Sequence, residues 1–260
     1  VGIGLRRSEW RHAVPPQPWT SQINEHLVPA KQCRGIGQDG LLWQSFHGLC
    51  EQHHLFTGAV AIQFIGTGEV ADGHQFTHLR QGRNYMRRNA EVVTPSGHAT
   101  ELFTAWAAEA LRERARRPDQ PFFLYLAYNA PHFPIEPPAE WLAGLRERSP
   151  QLDDRRARSA AFVEHLDDNV GRVLAALAEL GLDRTTVVAF TSDNGGSLPH
   201  GQNNDPWRGG KQSHYDGGLR VPFMIRWPPG IPAGSRCDYP GLVFDLFPTF
   251  LELAGAPRPV

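Results

Sequence analysis

The residues best suited to chemistry follow the two most apolar runs of the sequence. His132 comes shortly after the run 122–128, and Asp193 and Asn194 come directly after the run 185–192. An imidazole can accept or donate a proton near neutral pH, and carboxylate and amide oxygens are ligands that Ca²⁺ or Mg²⁺ accepts. The sequence Asp-Asn-Gly-Gly is also typical of a tight turn, so from the residues alone a turn and a metal pair are both open.

A lysine in a glycine-rich loop could add positive charge to the same chemistry. Lys211 follows two glycines, which let backbone and ammonium approach an anion closely. The loop is not a Walker P-loop, because Asp205 stands where its first glycine belongs and Gln212 where its Ser or Thr belongs. If Lys211, His132 and the Asp193 turn meet in one crevice, they would neutralise and orient a tetrahedral oxyanion.

The elements that must bring these residues together are those of an α/β protein. The runs 122–128 and 185–192 predict buried strands, and the apolar spacing over 154–180 predicts a long helix between them. Strand, helix and strand form a right-handed crossover in a parallel sheet, whose crevice lies outside the carboxyl ends of the strands. We therefore expect a mostly parallel sheet sandwiched by helices, with His132 and Asp193 at the same edge.

The remaining elements are predicted from shorter patterns, and they divide the chain unequally. Pro222 interrupts its apolar run, which is typical of an edge strand. The other expected elements are a strand at 59–65, a helix at 100–117, a strand at 221–227 and a closing helix at 244–254. Residues 1–84 otherwise keep no regular apolar period, so we separate an atypical, partly irregular N-terminal segment, 1–84, from an ordered part, 85–260.

Composition limits the partners of the chain. The 260 residues are 40% apolar and 20% charged, as in ordinary folded proteins. The net charge of −1 gives no support for a nucleic-acid or anionic-membrane partner. No run approaches the roughly eighteen apolar residues that a membrane span needs, and the chain begins at Val1 without an apolar signal sequence.

Several motifs together resemble those of the sulfatases, a family of the alkaline phosphatase superfamily. They occur in the family's order at 122–134, 191–196, 207–211, 215–223 and 245–249. The resemblance implies an alkaline-phosphatase-like α/β fold that is incomplete at its N-terminus, with 85–260 as the later part of the catalytic domain. It also implies hydrolysis of a small-molecule or carbohydrate sulfate ester, in a family whose members are often periplasmic, extracellular or lysosomal.

The resemblance implies roles for individual residues. Asp193 and Asn194 match a pair of calcium ligands, with Mg²⁺ as the alternative ion. Lys211 matches the lysine that contacts the sulfate ester, and His132 matches the histidine near the leaving oxygen, where it would act as a general acid. The resemblance also places two further residues in the substrate-facing loop, Arg208 and His200.

The departures from the family pattern bear on activity. Sulfatases oxidise the cysteine of a Cys-x-Pro-x-Arg motif to a formylglycine nucleophile, and none of Cys33, Cys50 and Cys237 lies in such a motif. The early Asp-Asp calcium pair has no counterpart. In the segment 66–71, Thr67 and Glu69 would replace a family lysine and histidine. We therefore expect a sulfatase whose N-terminal part is truncated, divergent or read in the wrong frame, and which as written hydrolyses no sulfate ester.

Four other interpretations stay open from the sequence. A phosphodiesterase or phosphonate hydrolase shares this superfamily, and a noncatalytic homologue would bind a sulfated ligand without turning it over. The segments 35–40 and 66–71 match a dinucleotide fingerprint, but no helical pattern follows either of them. A zinc site would need an irregularly spaced group of residues, namely Cys33, His47, Cys50 and His53.

Overall fold

The computed structural model describes residues 2–6, 61–66, 72–88 and 91–255, the first two ranges by their backbone alone. In the described residues the strands of the main sheet and of two short hairpins are β1 (Gly2–Arg6), β2 (Ala61–Gly66), β3 (Leu79–Arg80), β4 (Arg83–Asn84), β5 (Arg87–Arg88), β6 (Glu91–Val92), β7 (Phe122–Ala127), β8 (Thr186–Thr191) and β9 (Phe223–Arg226). The helices are α1 (Ala99–Ala115), α2 (Ala139–Arg148), α3 (Asp154–Glu179), α4 (Asp216–Leu219) and α5 (Leu246–Leu253), with 3₁₀ turns at Leu198–His200 and Val243–Asp245.

The main sheet has five strands in the order β2, β7, β1, β8 and β9. Strand β2 runs parallel to β7, from Ala61 beside Phe122 to Gly66 beside Ala127. Strand β1 is antiparallel to both β7 and β8, so β7 and β8 run parallel to each other on either side of it. Strand β9 pairs antiparallel with β8 at the edge, where the sequence predicts an edge strand.

Strand β1 is the largest departure from the predicted elements. Gly2–Arg6 lies in the segment expected to be irregular, because its apolar pattern is too short to predict a strand. Its backbone pairs with β7 along one side and with β8 along the other. Two paired edges supply backbone hydrogen bonds that a local pattern of five residues does not reveal.

The long helices form where their caps and apolar faces predict them. Helix α3 begins after Asp153, whose carboxylate accepts from the Arg156 N–H, and it ends before Gly181, which adopts a φ of +66°. Helix α1 begins after His98, whose ring nitrogen accepts from the Thr100 N–H. Helix α2 is not predicted, because its buried face is only a pair of leucines, which pack on α3.

The core lies on both sides of β7, as a sandwich requires. On one face Phe122 and Leu124 pack with Phe103 of α1 and Leu177 of α3. On the other face Phe123 packs with residues that include Phe250 of α5. Burying one such aromatic side chain stabilises the fold by roughly 1.5–3 kcal/mol. Because successive side chains of a strand point to opposite faces, Phe122 and Phe123 attach helices to opposite sides of the sheet. The predicted helix-covered sheet is confirmed, and β2, β7 and β8 run in the same direction as expected, whereas β1 and β9 run antiparallel to them. No helix of the described segments is both long and apolar enough to cross a bilayer.

Candidate functional site

The loops that leave β7 and β8 bring His132 and Lys211 together. Lys211 Nζ lies 2.9 Å from His132 Nε2, although 79 positions separate the two residues. His132 Nδ1 lies 2.8 Å from the carbonyl oxygen of Phe133. A carbonyl oxygen only accepts, so this geometry assigns the ring proton to Nδ1 and leaves Nε2 to accept from the ammonium. The arrangement is therefore a neutral imidazole oriented by a charged ammonium.

The His132 loop is held by backbone and side-chain contacts on both sides of the ring. The His132 N–H donates to the Asn129 carbonyl at 2.8 Å, and Gln202 Nε2 donates to the Pro131 carbonyl at 3.0 Å. The ring of Phe133 lies 4.9 Å from the ring of His200. His200 thus contacts this loop through Phe133, and His200 Nδ1 lies 2.8 Å from the hydroxyl oxygen of Ser197.

The Lys211 loop is held against the turn that follows β8. The Lys211 N–H donates to the Gly196 carbonyl at 3.0 Å. A Cβ placed on Gly210 would lie 2.5 Å from that same oxygen, so a side chain there would displace the turn. Gly195 N–H donates to Gly218 O at 3.0 Å, which ties the turn to α4 as well. The loop and the turn are therefore joined by backbone hydrogen bonds.

Asp193 and Asn194 lie in this turn, where the Ser192 hydroxyl donates to Asp193 Oδ1 at 3.4 Å. Asn194 Nδ2 donates to the Gly195 carbonyl at 2.9 Å, and within the described ranges no hydrogen bond uses Asn194 Oδ1. Asp193 is exposed and close to Tyr125 of β7: burial raises the pKa of Tyr125, and the negative charge of Asp193 raises it further. These donors suit a hard cation, which takes about six to eight oxygens. The part of the chain that the structure describes holds no cluster of three or more His, Cys, Asp or Glu side chains able to bind a metal.

Arg208 lies on the outer side of the Lys211 loop. Its guanidinium stacks over the ring of Tyr215, 3.8 Å from the centroid, and Arg220 stacks over Trp207 at 4.2 Å. Such contacts are worth about 0.5–1 kcal/mol at exposed sites. No hydrogen bond joins Arg208 to Lys211 in the described segments, so Arg208 is a neighbour along the loop rather than a partner of the Lys211 ammonium.

Sequence reasoning missed two amides that hold the loops together. Gln202 and Asn204 hydrogen-bond to the backbone of the turn after β8, and each also reaches a second loop. Their one signal in the sequence is their position, because Gln202 and Asn204 belong to a run of three amide residues that precedes the Lys211 motif in a stretch otherwise rich in Gly and Pro. That signal is weak, since Asn is common in turns.

The comparisons with known proteins identify the family. The family model named Sulfatase matches residues 52–256. The chain belongs to the sulfatase family. It is 35% identical over 182 residues to N-acetylgalactosamine-6-sulfatase of Rattus norvegicus, covering 68% of this chain and 33% of that protein. It is 34% identical over 193 residues to steryl-sulfatase of Homo sapiens, covering 71% of this chain and 32% of that one.

The solved structures support the same assignment. Ps i-CgsB, solved in complex with k-i-k-neocarrahexaose, is 32% identical with a TM-score of 0.67, covering 72% of this chain and 44% of that one. The predicted alkaline-phosphatase-like α/β fold is confirmed, and the members of this family are hydrolases of sulfate esters that are generally metal-dependent. The chain spans about a third of the length of the curated relatives it matches.

Several predictions about the N-terminal segment lie outside the described residues. The family match begins at residue 52, inside the segment 1–84, and the division at residue 84 stays a prediction. Thr67 and Glu69 are not described, nor are the residues of the zinc alternative or the segment 35–40. Cys237 is described, and it is a free and exposed thiol.

Proposed function

We propose that this sulfatase chain binds the sulfate group of a sulfate monoester between Lys211 and His132. The observation that carries the proposal is the 2.9 Å contact between Lys211 Nζ and His132 Nε2, beside the carboxyl end of β7. An ammonium group has three N–H donors, so after donating to His132 it keeps two for sulfate oxygens. The ammonium charge neutralises the anion, and the imidazole lies beside the ester oxygen that would leave.

His132 is the proposed proton donor to the leaving oxygen. The neutral ring carries its proton on Nδ1, so Nε2 must first take up a second proton from solvent, which ends its hydrogen bond from Lys211, before it can donate that proton. Transfer from Nε2 to the leaving oxygen then returns the ring to its neutral form. Cleavage of the sulfur–oxygen bond also needs a nucleophile, and no Cys-x-Pro-x-Arg precursor of formylglycine occurs in the sequence. We therefore expect this chain to bind a sulfate ester without hydrolysing it.

Asp193 and Asn194 are the proposed ligands of a divalent cation, Ca²⁺ or Mg²⁺. Their carboxylate and amide oxygens are the donor types that these ions take. When bound, the cation would add positive charge beside the oxyanion. Two oxygens are a minority of the ligands such an ion needs, so we expect weak cation binding and assign anion binding to Lys211 and His132.

The proposed ligand class is a sulfated carbohydrate, with small aryl and sterol sulfates as the other members of the family's range. N-acetylgalactosamine-6-sulfatase and a complex with neocarrahexaose are among the similar proteins, and so is steryl-sulfatase. Exposed rings and cations border the Lys211 loop, as expected of a surface for a polar, ring-shaped ligand. Arg208 and His200 are the proposed contacts of the part of the ligand beyond the sulfate group.

Calorimetric titration of the full chain with N-acetylgalactosamine 6-sulfate tests this proposal. We expect binding by the native chain, no binding of unsulfated N-acetylgalactosamine, and a loss of at least about tenfold in affinity for Lys211→Ala. The matched control is Arg236→Ala, which removes a cation from an exposed surface pair. Equal affinities for the native chain and Lys211→Ala would overturn the site. Preference for a phosphodiester would favour the phosphodiesterase alternative, and turnover of a chromogenic aryl sulfate would overturn the expectation of binding alone.

A further inference from the structure

The side chain of Asn204 joins the two backbone segments that meet beneath Lys211. Its Oδ1 accepts from the Gly196 N–H at 2.6 Å. Its Nδ2 donates to the Gly196 carbonyl at 2.9 Å and to the Gly209 carbonyl at 3.1 Å. A primary amide carries both a donor and an acceptor at one end of a short side chain, so Asn204 pairs with Gly196 in both directions and still reaches Gly209.

The backbone around this amide leaves no room for other side chains. A Cβ placed on Gly196 would lie 3.0 Å from Asn204 Oδ1, and one placed on Gly210 would lie 2.9 Å from Asn204 Nδ2. The Gly196 carbonyl that accepts from Asn204 also accepts from the Lys211 N–H. The amide therefore sets the distance between the turn after β8 and the start of the Lys211 side chain.

Gln202 forms the corresponding link to the His132 loop. Its Oε1 accepts from the Ser197 N–H at 2.5 Å, and its Nε2 donates to the Pro131 carbonyl at 3.0 Å. One amide thus ties the segment after β8 to the loop after β7, and the other ties it to the Lys211 loop. Lys211 and His132 extend from different loops, and the two amides are among the contacts that join these loops.

We propose that Asn204 is a positioning residue, which holds Lys211 Nζ against His132 Nε2 so that the ammonium is oriented for a sulfate ester. The proposal rests on the proposed function for its consequence in binding, although the positioning itself can be observed without a ligand. Asn204 acts through Lys211 and does not touch the ester. Its removal should leave the ammonium present but misplaced, with a loss of affinity that charge alone does not explain.

Asn204→Asp is the sharpest perturbation, because the two side chains have nearly the same shape. The carboxylate can still accept from the Gly196 N–H, but its second oxygen would face the carbonyls of Gly196 and Gly209, which also only accept. Two hydrogen bonds become repulsive contacts, and we expect at least a tenfold loss of sulfate-ester affinity. The matched control is Asn203→Asp, which makes the same change one residue earlier in an exposed contact with Asp205.

The assay uses lysines labelled with ¹³C at Cε in the full chain. Lys31 and Lys211 are the lysines of the sequence, so the spectrum has two signals, and Lys211→Arg assigns them. In the native chain the Lys211 signal should shift on His132→Ala substitution, which reports the contact. In Asn204→Asp the Lys211 signal should move to its His132→Ala position, while the Lys31 signal stays close to that of Asn203→Asp and a cooperative thermal transition shows that the chain is folded.

The outcomes separate this inference from the proposed function. If the native chain binds N-acetylgalactosamine 6-sulfate and Asn204→Asp binds it equally well with an unchanged Lys211 signal, the positioning role is wrong and the binding site stands. If the native chain binds no sulfate ester but Asn204→Asp still moves the Lys211 signal, the proposed function fails and the positioning role stands. If Asn204→Asp does not fold, Asn204→Ser, which cannot make all three bonds, is measured in its place and decides by the same two readouts.

Discussion

A buried histidine should make the stability of this sulfatase domain fall between pH 6.5 and pH 4. His98 is 2% exposed and caps α1, where its Nδ1 accepts from the Thr100 N–H at 3.2 Å and its Nε2 faces the Glu136 carbonyl at 3.0 Å. Burial lowers the pKa of His98 from 6.5 to about 4, and the nearby His165 and His78 lower it further. The hydrogen bond to the Glu136 carbonyl raises the pKa of His98, but burial and the two histidines together lower it by more.

The size of the effect follows from linkage. In the unfolded chain His98 takes up a proton near pH 6.5, whereas in the folded chain it does so only near pH 4. Between these values the unfolded state binds more protons, so stability is lost as the pH falls through this window and levels off for this group below it. At about 1.4 kcal/mol for each tenfold change in proton affinity, the loss is roughly 3 kcal/mol. That is a large part of the 5–15 kcal/mol typical of a domain.

The substitution His98→Asn isolates this contribution. Asn is a preferred N-cap residue, so its Oδ1 can accept from the Thr100 N–H without titrating. Urea unfolding followed by tryptophan fluorescence gives the free energy of unfolding at each pH. From pH 7 to pH 4 the free energy of unfolding should fall by roughly 3 kcal/mol more in the native chain than in the variant. The pKa of His165 is also lowered, chiefly by burial, but that contribution is present in both chains. If the free energies of unfolding of the native chain and the variant differ by the same amount at every pH in this range, the assignment to His98 is wrong.

Three further perturbations have expected results that the structure makes specific. Gly171→Ala should raise the free energy of unfolding by about 0.5–1 kcal/mol, because Gly171 lies within α3 and a Cβ there meets nothing within 4 Å; a loss of stability would contradict this. Gly210→Ala should lower the free energy of unfolding by about 1–3 kcal/mol and weaken sulfate-ester binding, because its Cβ would lie 2.5 Å from the Gly196 carbonyl; unchanged calorimetric affinity would show that the loop adapts. Asp193→Ala should abolish any rise in melting temperature that millimolar Ca²⁺ gives the native chain, and an equal rise in both chains would place the cation elsewhere.

Strands β7 and β8 and the edge where they end could be predicted, because both depend on local patterns and one general rule. The apolar runs at β7 and β8 are long enough to identify buried strands, and the long helix between them requires a crossover. The parallel relation of β7 and β8 then follows from that crossover, and the general rule adds that it is right-handed. This is why His132 and the Asp193 turn could be assigned to one edge from the sequence.

The contacts within that edge could not be predicted, because they depend on the paths of irregular loops. The family resemblance brought Lys211 and His132 into one proposed site, but no spacing rule gives a side-chain distance across 79 positions. Gln202 and Asn204 are ordinary turn residues in the sequence, and their roles depend on which carbonyl groups the folded loops present to them. Strand β1 was missed for a similar reason, since its pairing partners lie more than a hundred positions away.

The proposed site has an anion-binding half, Lys211 and His132, and a cation-binding half, Asp193 and Asn194, and the described residues complete only the first. The hydrogen bonds that set the anion-binding half join residues between 129 and 218 to one another, through Gln202, Asn204 and the Gly196 carbonyl. The cation-binding half has the correct donor types in Asp193 and Asn194, but too few of them among the described residues to complete a coordination shell. Lys211 and His132 are therefore held in place by their own loops, and the orientation of the ammonium does not require the cation. Under the proposed function, the loops that leave β7 and β8 would bind the sulfate group, whereas metal binding and hydrolysis would need groups that these loops do not contain.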